Sequence, residues 1–362
     1  MKTETVSFTQ HWHRTLKEYV TALTWTPNGA WLAAASAAGE VVLCQSPEAM
    51  FTLQQANSQA INGLSFSADG QFLAIGDQSG TVTVWAMPTS PNDSLEQLSD
   101  LAPYLQHTHP SVWIDQLTWH PHQNILAYGV GPQVQIWAVA QNTLVTELDF
   151  QDSSILHMAW HPHGTALAVS GHGGVKVWQW DDLSTAPRLI AVPGASLHIA
   201  WSAEGHYLGS GNLDRTLTVT ELDDSPPWLM QGFPGKVRQL AWSTLLTPSG
   251  SPLLAAACAE GIILWQRSPK SKGNWRSRVL KHHQARVNAI AFQPNSRLLA
   301  SASQDRQVGL WQDGKKLFQI LKGFRDGVSC LAWHPSGEQL AAGGIAGEIL
   351  VWKSSHRARG FG

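Results

Sequence analysis

The sequence predicts an all-β chain: eight four-stranded, wedge-shaped sheets set face to face around one axis. Three observations predict it: a surplus of tryptophan, a spacing of 41 residues that keeps returning, and a small residue beside the aromatic at the same point of every repeat. The chain has 362 residues, 43% hydrophobic and only 14% charged, against roughly 25% charged in ordinary soluble proteins. Self-repulsion therefore does not hold it unfolded. No apolar run approaches the ~18 residues of a membrane helix, and Met1 to Lys17 carries no signal-peptide core. Cys44, Cys258 and Cys330 lie far apart with no CxxC pair. A cytoplasmic protein with no membrane span, disulfide frame or cysteine zinc site is expected.

Each repeat reads V-x-x-L-x-W, a turn, L-A-x-x-S/G, a second turn, and V-x-V-W. The first aromatic column is Trp25, Phe66, Trp119, Trp160, Trp201, Trp242, Phe292 and Trp333, with spacings of 41, 53, 41, 41, 41, 50 and 41. The second is Cys44, Trp85, Trp137, Trp178, Thr220, Trp265, Trp311 and Trp352; together the columns hold twelve of the eighteen tryptophans, so architecture explains most of the surplus. Runs such as QLTWHP and CLAWHP are short apolar strands closed by proline turns, and VTVW, VQIW and VKVW have the β-branched alternation of strands covered on both faces. Before the first aromatic stands Thr24, Ser65, Thr118, Ala159, Ala200, Ala241, Ala291 or Ala332. Neighbouring strand residues face opposite sides, so this strand is thin on one side and belongs nearest the axis. Apolar runs at Met50–Leu53, Thr143–Phe150, Arg188–Val192 and Leu317–Leu321 supply a fourth, outer strand. The last repeat lacks one, and the orphan strand Thr3–Thr9 would fill its place, closing the ring. The alternative is seven blades plus an extra unit.

Four-stranded units of this length with tryptophan ending the third strand resemble WD40 β-propeller repeats, over about residues 3 to 353 and in degenerate form. The chain reads as one propeller domain, 1–362, and its plain repeat array resembles bacterial members of that family. The seventh unit fits best. There the resemblance implies a buried hydrogen-bond tetrad of His283, Ser301 or Ser303, Asp305 and Trp311. Only Asp214 also holds the turn-aspartate position, and its unit ends in Thr220, so the remaining blades would rely on aromatic packing.

Six tryptophans fall outside both columns: Trp12, Trp31, Trp113, Trp180, Trp228 and Trp275. Each would either anchor a partner or cap a blade edge. Histidines pair as His120/His122 and His161/His163, with His334 at the matching place, and as His11/His13 and His107/His109. Metal handling by these turns is the least favoured function, since W-H-P-x-G is itself a good turn and zinc needs four close ligands. No metal, cofactor or catalytic site is expected: HExxH, GxSxG, GxxxxGK[ST] and a strand-to-helix GxGxxG are all missing.

Charge is polarised. Residues 1–266 carry 8 basic and 21 acidic groups, whereas residues 267–362 carry 16 basic and 5 acidic. Between Lys17 and Lys176 there are twelve acids and no lysine or arginine. The basic maximum is Arg267, Lys270, Lys272, Arg276, Arg278, Lys281 and Arg286, read either as a solvated loop or as a docking patch. A second insertion, Met87 to Val112, carries Asp93, Glu96 and Asp100 and ends at Trp113. The expected function is a non-catalytic scaffold binding other proteins, with an acidic surface or peptide as partner; nucleic acid or another anionic surface on the basic sector is the alternative. Family resemblance implies binding near the inner-strand starts, at Tyr19, Trp113, His157, His198, Lys236, Arg238, Arg286 and Asn288.

Overall fold

The computed structural model describes residues 6–356 apart from 47, 88–100, 152, 223–224, 260 and 269–273. Among the described residues the regular structure is thirty strands and one 3-10 turn at Val139–Gln141. In the first repeat, β2 (Val20–Trp25), β3 (Leu32–Ser36), β4 (Val41–Cys44) and β5 (Met50–Gln54) pair in chain order. LAAAS and VVLC in the middle are buried throughout, because neighbouring blades cover both faces, while outer β5 is partly exposed. The same order recurs from β6 (Ile61–Phe66) to β9 (Leu105–Thr108), from β10 (Leu117–Trp119) to β13 (Thr143–Asp149), from β20 (Val237–Trp242) to β23 (Trp275–Leu280), and from β24 (Val287–Phe292) to β27 (Lys316–Leu321).

The last four-stranded sheet takes its outer strand from the other end of the chain. β28 (Val328–Trp333), β29 (Gln339–Gly344) and β30 (Glu348–His356) are followed by β1 (Val6–Thr15), which runs antiparallel to β30 with a register shift between Gln10 and Trp12. This is the ring closure foreseen for Thr3–Thr9, but the strand continues to Thr15 and buries Trp12 to 6% exposure.

The blade count is corrected. Eight separate four-stranded blades do not form. The chain makes seven hydrogen-bonded sheets, one of them six-stranded: β14 (His157–Trp160), β15 (Ala166–Gln179), β16 (Arg188–Trp201), β17 (Tyr207–Asn212), β18 (Leu217–Glu221) and β19 (Trp228–Met230). The reason is local. β16 runs unbroken through Pro193-Gly194, so the outer strand of the fourth repeat and the inner strand of the fifth are one strand. The extra unit of the seven-blade alternative is thus joined to its neighbour.

The small residues beside the aromatic column do more than taper the blades. In four repeats the indole N–H of the first-column tryptophan reaches the carbonyl of the small residue one repeat back: Trp119 to Ser65 (3.0 Å), Trp201 to Ala159 (3.1 Å), Trp242 to Ala200 (2.9 Å) and Trp333 to Ala291 (3.1 Å), whereas the buried Trp160 Nε1 has no described partner. Trp25 does the same to Ala332 across the closure. A bulkier neighbour would hold the sheets too far apart for this bond.

The repeated histidines, each directly after a column tryptophan, stitch the same strand ends to the following repeat. Nε2 of His120, His161 and His334 donates to the carbonyl of Gly164, Gly205 and Gly29 in the next repeat, at 3.1, 3.2 and 3.1 Å. Gln293 does so to Gly337. Each ring also lies edge-on to the next column indole, Trp160, Trp201 or Trp25, at 4.9 Å. Gly205 has φ +74°, and a Cβ there would sit 2.1 Å from His161 Nε2, so glycine is required twice over.

Candidate interaction surface

The seventh repeat holds one continuous polar chain. Trp311 Nε1 donates to Ser301 Oγ (2.9 Å), Ser301 meets His283 Nε2 (2.8 Å), and His283 Nδ1 meets Asp305 Oδ2 (2.9 Å). Ser303 bonds instead to the Ala285 carbonyl, which leaves Ser301 as the linking serine. With Nδ1–H on the carboxylate and Nε2 accepting the hydroxyl, the ring is neutral. Burial lowers the His283 pKa against the pull of Asp305. The Asp305 carboxyl is held low although burial opposes it, because His283 and the Gln284 and Gln307 amides donate to it.

In the other histidine turns the His120 and His161 rings have no nitrogen to spare. Nδ1 of His120 accepts the His122 amide and that of His161 the His163 amide, while each Nε2 faces its glycine carbonyl. His107 and His109 both meet the Tyr128 hydroxyl, at 3.0 and 3.3 Å. His11 and His13 flank buried Trp12 on exposed positions of β1. Among the described residues no three His, Cys, Asp or Glu side chains gather in a cluster suited to a metal ion.

Five of the six out-of-column tryptophans are absorbed by packing. Trp12 and Trp31 are buried, and Trp180 stands edge-on to Trp160 at 5.1 Å. Trp228 and Trp275 join Tyr207 and Trp242 in an aromatic cluster between the fifth and sixth repeats, with Arg267 laid 4.8 Å over Trp228. Trp113 is different: it is 60% exposed, the most exposed of the large apolar side chains.

The basic sector is smaller than its sequence suggests. Arg267 turns inward to pair with Glu221 at 2.7 Å and to donate to the Tyr207 hydroxyl. A residue flanked by aromatics from another repeat gives no local sign of this. Arg276 and Arg278 stand exposed on outer strand β23, with exposed Lys281 just after it. No described acid pairs with these three. Lys270 and Lys272 lie outside the described residues, as do Asp93, Glu96 and Asp100.

Of the residues expected near the inner-strand starts, three come together. Tyr19, Arg286 and Asn288 line one cavity of about 390 Å³ with Gln304, Ser329 and Ile345, where the first, seventh and last repeats meet. Arg286 Nε donates to Asn288 Oδ1 (3.0 Å), and Asn288 Nδ2 is itself tied to the Val328 carbonyl (2.8 Å). The guanidinium is thereby aimed, and its terminal nitrogens have no described partner. Burial and the nearby Cys330 raise the Tyr19 pKa and Arg286 lowers it, leaving a phenol that donates. Two donors of this kind suit a carboxylate.

The remaining five are dispersed. Trp113 lies on a separate cavity with Asp115, and Lys236 and Arg238 are exposed around the start of β20. His157 and His198 lie on neighbouring inner strands with ring centroids 4.1 Å apart and planes tilted by 35°, each with a buried Nδ1 that has no described partner. Burial lowers the His157 pKa to about 4 and takes that of His198 well below its usual value, the neighbouring His157 adding to the second effect.

Antiparallel four-stranded sheets arrayed in sequence and closed by pairing of the two ends define a β-propeller. The model for the WD domain, G-beta repeat (WD40), matches residues 3–43, 48–86, 142–179, 275–312 and 315–353, more than half of the sequence, and the chain belongs to that family. It is similar to the protein transport protein sec13 of Emericella nidulans, 26% identical over 177 residues, 43% of this chain and 57% of that one. It is also similar to a ribosome biogenesis protein WDR12 homolog of Chlamydomonas reinhardtii, 33% identical over 89 residues, 21% of this chain and 20% of that one. The anaphase-promoting complex subunit cdh1 of Dictyostelium discoideum is 33% identical over 107 residues, 28% of this chain and 13% of that one. The matches thus span less than two thirds of the length of each of these relatives. No helix among the described residues is long and apolar enough to cross a membrane.

Proposed function

We propose that this propeller is a non-catalytic scaffold that docks an acidic segment of a partner protein. The observation that carries the reading is Arg286, held by Asn288 beside the Tyr19 hydroxyl in a cavity on the rim where the inner strands begin. A guanidinium fixed by a neighbouring amide loses little freedom when a carboxylate arrives, so more of the charge-assisted bond appears as affinity. Family membership supports a binding role, and one relative is by name a subunit of a complex. The first carboxylate after Arg286 in the sequence, Asp305, is already engaged by His283.

Fluorescence anisotropy of a labelled tri-glutamate peptide tests this. Binding is expected to weaken about tenfold in R286Q, to fall with added salt, and to exceed that of an oligonucleotide of equal charge. Equal affinity in R286Q would overturn the assignment. An oligonucleotide that binds more tightly, and loses affinity in R276Q/R278Q, would transfer the function to the edge strand β23 and a nucleic-acid backbone.

A further inference from the structure

A second cavity, of about 310 Å³, opens on the same rim between the third and fourth repeats. Its construction parallels the first: the segment entering one inner strand, the turn between the second and third strands, and the segment entering the next inner strand. Here these are Trp113 with Asp115, Gly129 with Gly131, and Ser154 with Ile155. Its chemistry is opposite.

We propose that this cavity receives an arginine side chain from an extended segment of a partner protein, with the guanidinium stacked on the Trp113 indole and paired to the Asp115 carboxylate. Four observations converge on that occupant. The indole is 60% exposed, although every other tryptophan outside the two columns is packed into the fold. Asp115 is held in place, because Asn62 of the preceding repeat donates to its Oδ1 at 2.5 Å, and its Oδ2 has no described partner. No lysine or arginine occurs from residue 18 to 175, so this part of the ring cannot neutralise the carboxylate from within. Finally, an added Cβ at Gly131 would meet nothing within 4 Å, so the floor is open to a flat group.

A planar cation satisfies both walls at once, since guanidinium stacks on aromatic faces and donates in its own plane. A phosphate backbone is disfavoured by the sign of the field, and a purely apolar side chain would leave the Asp115 oxygen without a partner. The proposal rests on reading this rim as a protein-binding surface, but it concerns a different cavity and a different charge.

The test uses the full chain labelled with 5-fluorotryptophan, the Trp113 signal being assigned by its loss in W113F. A capped tri-arginine peptide is expected to shift that signal saturably, while a capped tri-glutamate peptide leaves it in place. D115N should weaken the shift about tenfold with the remaining fluorine signals unmoved, which shows that the fold is intact. No shift with tri-arginine, an equal shift with tri-glutamate, or the same affinity in D115N would overturn the proposal. A capped tri-lysine peptide that binds as tightly would overturn the guanidinium assignment. The Arg286 cavity is read out by tri-glutamate and R286Q, so either site can fail while the other stands.

Discussion

The indole N–H of Trp25 donates to the carbonyl of Ala332 at 3.2 Å, joining the first inner strand to the last across 307 positions of sequence. It is the same bond that ties Trp119, Trp201, Trp242 and Trp333 to the repeat before them, used here where the ring shuts. W25F removes the donor, keeps most of the ring's bulk, and leaves a carbonyl without its partner. The expected loss is about 1 kcal/mol, seen as a lower urea midpoint. An unchanged midpoint would mean that the bond adds nothing to closure.

G205A should cost about 2 kcal/mol. The residue sits at φ +74° with His161 Nε2 in the space a methyl would take, so backbone strain and a displaced interblade bond add. The same bonds make a solution test of metal independence: both ring nitrogens of His120 and His161 are engaged within the protein. A chelator should therefore leave the melting temperature unchanged. A fall on dialysis against it, recovered with zinc, would reverse that reading.

Acid should loosen the ring in a definite window. His157 and His198 are neutral when folded, burial lowering the first to about 4 and the second well below its ordinary value, whereas the unfolded chain takes up protons near the ordinary 6.5. The unfolded state binds more protons, so stability is complete above about pH 6.5 and declines as the pH drops toward about 4. The double variant H157Q/H198Q should show a shallower decline over that interval in pH-dependent urea melts. His283 acts in the same direction, and Asp305, held low, withdraws its share only below the ordinary carboxylate value of 3.8.

Arg267 and its sequence neighbours should separate cleanly. R267Q breaks the Glu221 pair and the stack on Trp228, for about 1 kcal/mol of stability. Arg276, Arg278 and Lys281 are exposed, so their triple glutamine variant should melt like the parent while binding anionic probes more weakly. The reverse assignment of effects would show that Arg267 is not a packing residue.

Much of this was legible in the residues. The regular tryptophan columns, the small residue before each first-column position and the orphan amino-terminal strand all report geometry that repeats, and repetition is what a single sequence displays best. The seventh-repeat polar chain was legible too, up to the choice between Ser301 and Ser303. Partners brought together across repeats were not. Trp228 and Trp275 lie 47 positions apart and meet only because the fifth and sixth repeats are stacked, and Arg267 joins them for the same reason. The fused sheet escaped detection because Pro193-Gly194 looks like a turn yet lies within a continuous strand. Trp113 could be singled out as lying off the columns, but its exposure depends on how the strands around it leave space.

Because the only sheet partner of β1 among the described residues is β30, β1 cannot be seated until β30 has been made. Until residues beyond 347 leave the ribosome, the nascent chain carries an unclaimed edge strand and six intervening sheets that cannot yet form a circle. The clasp therefore couples every blade to the synthesis of β30, and a truncation that removes β30 should also expose β1 to proteolysis instead of trimming one blade.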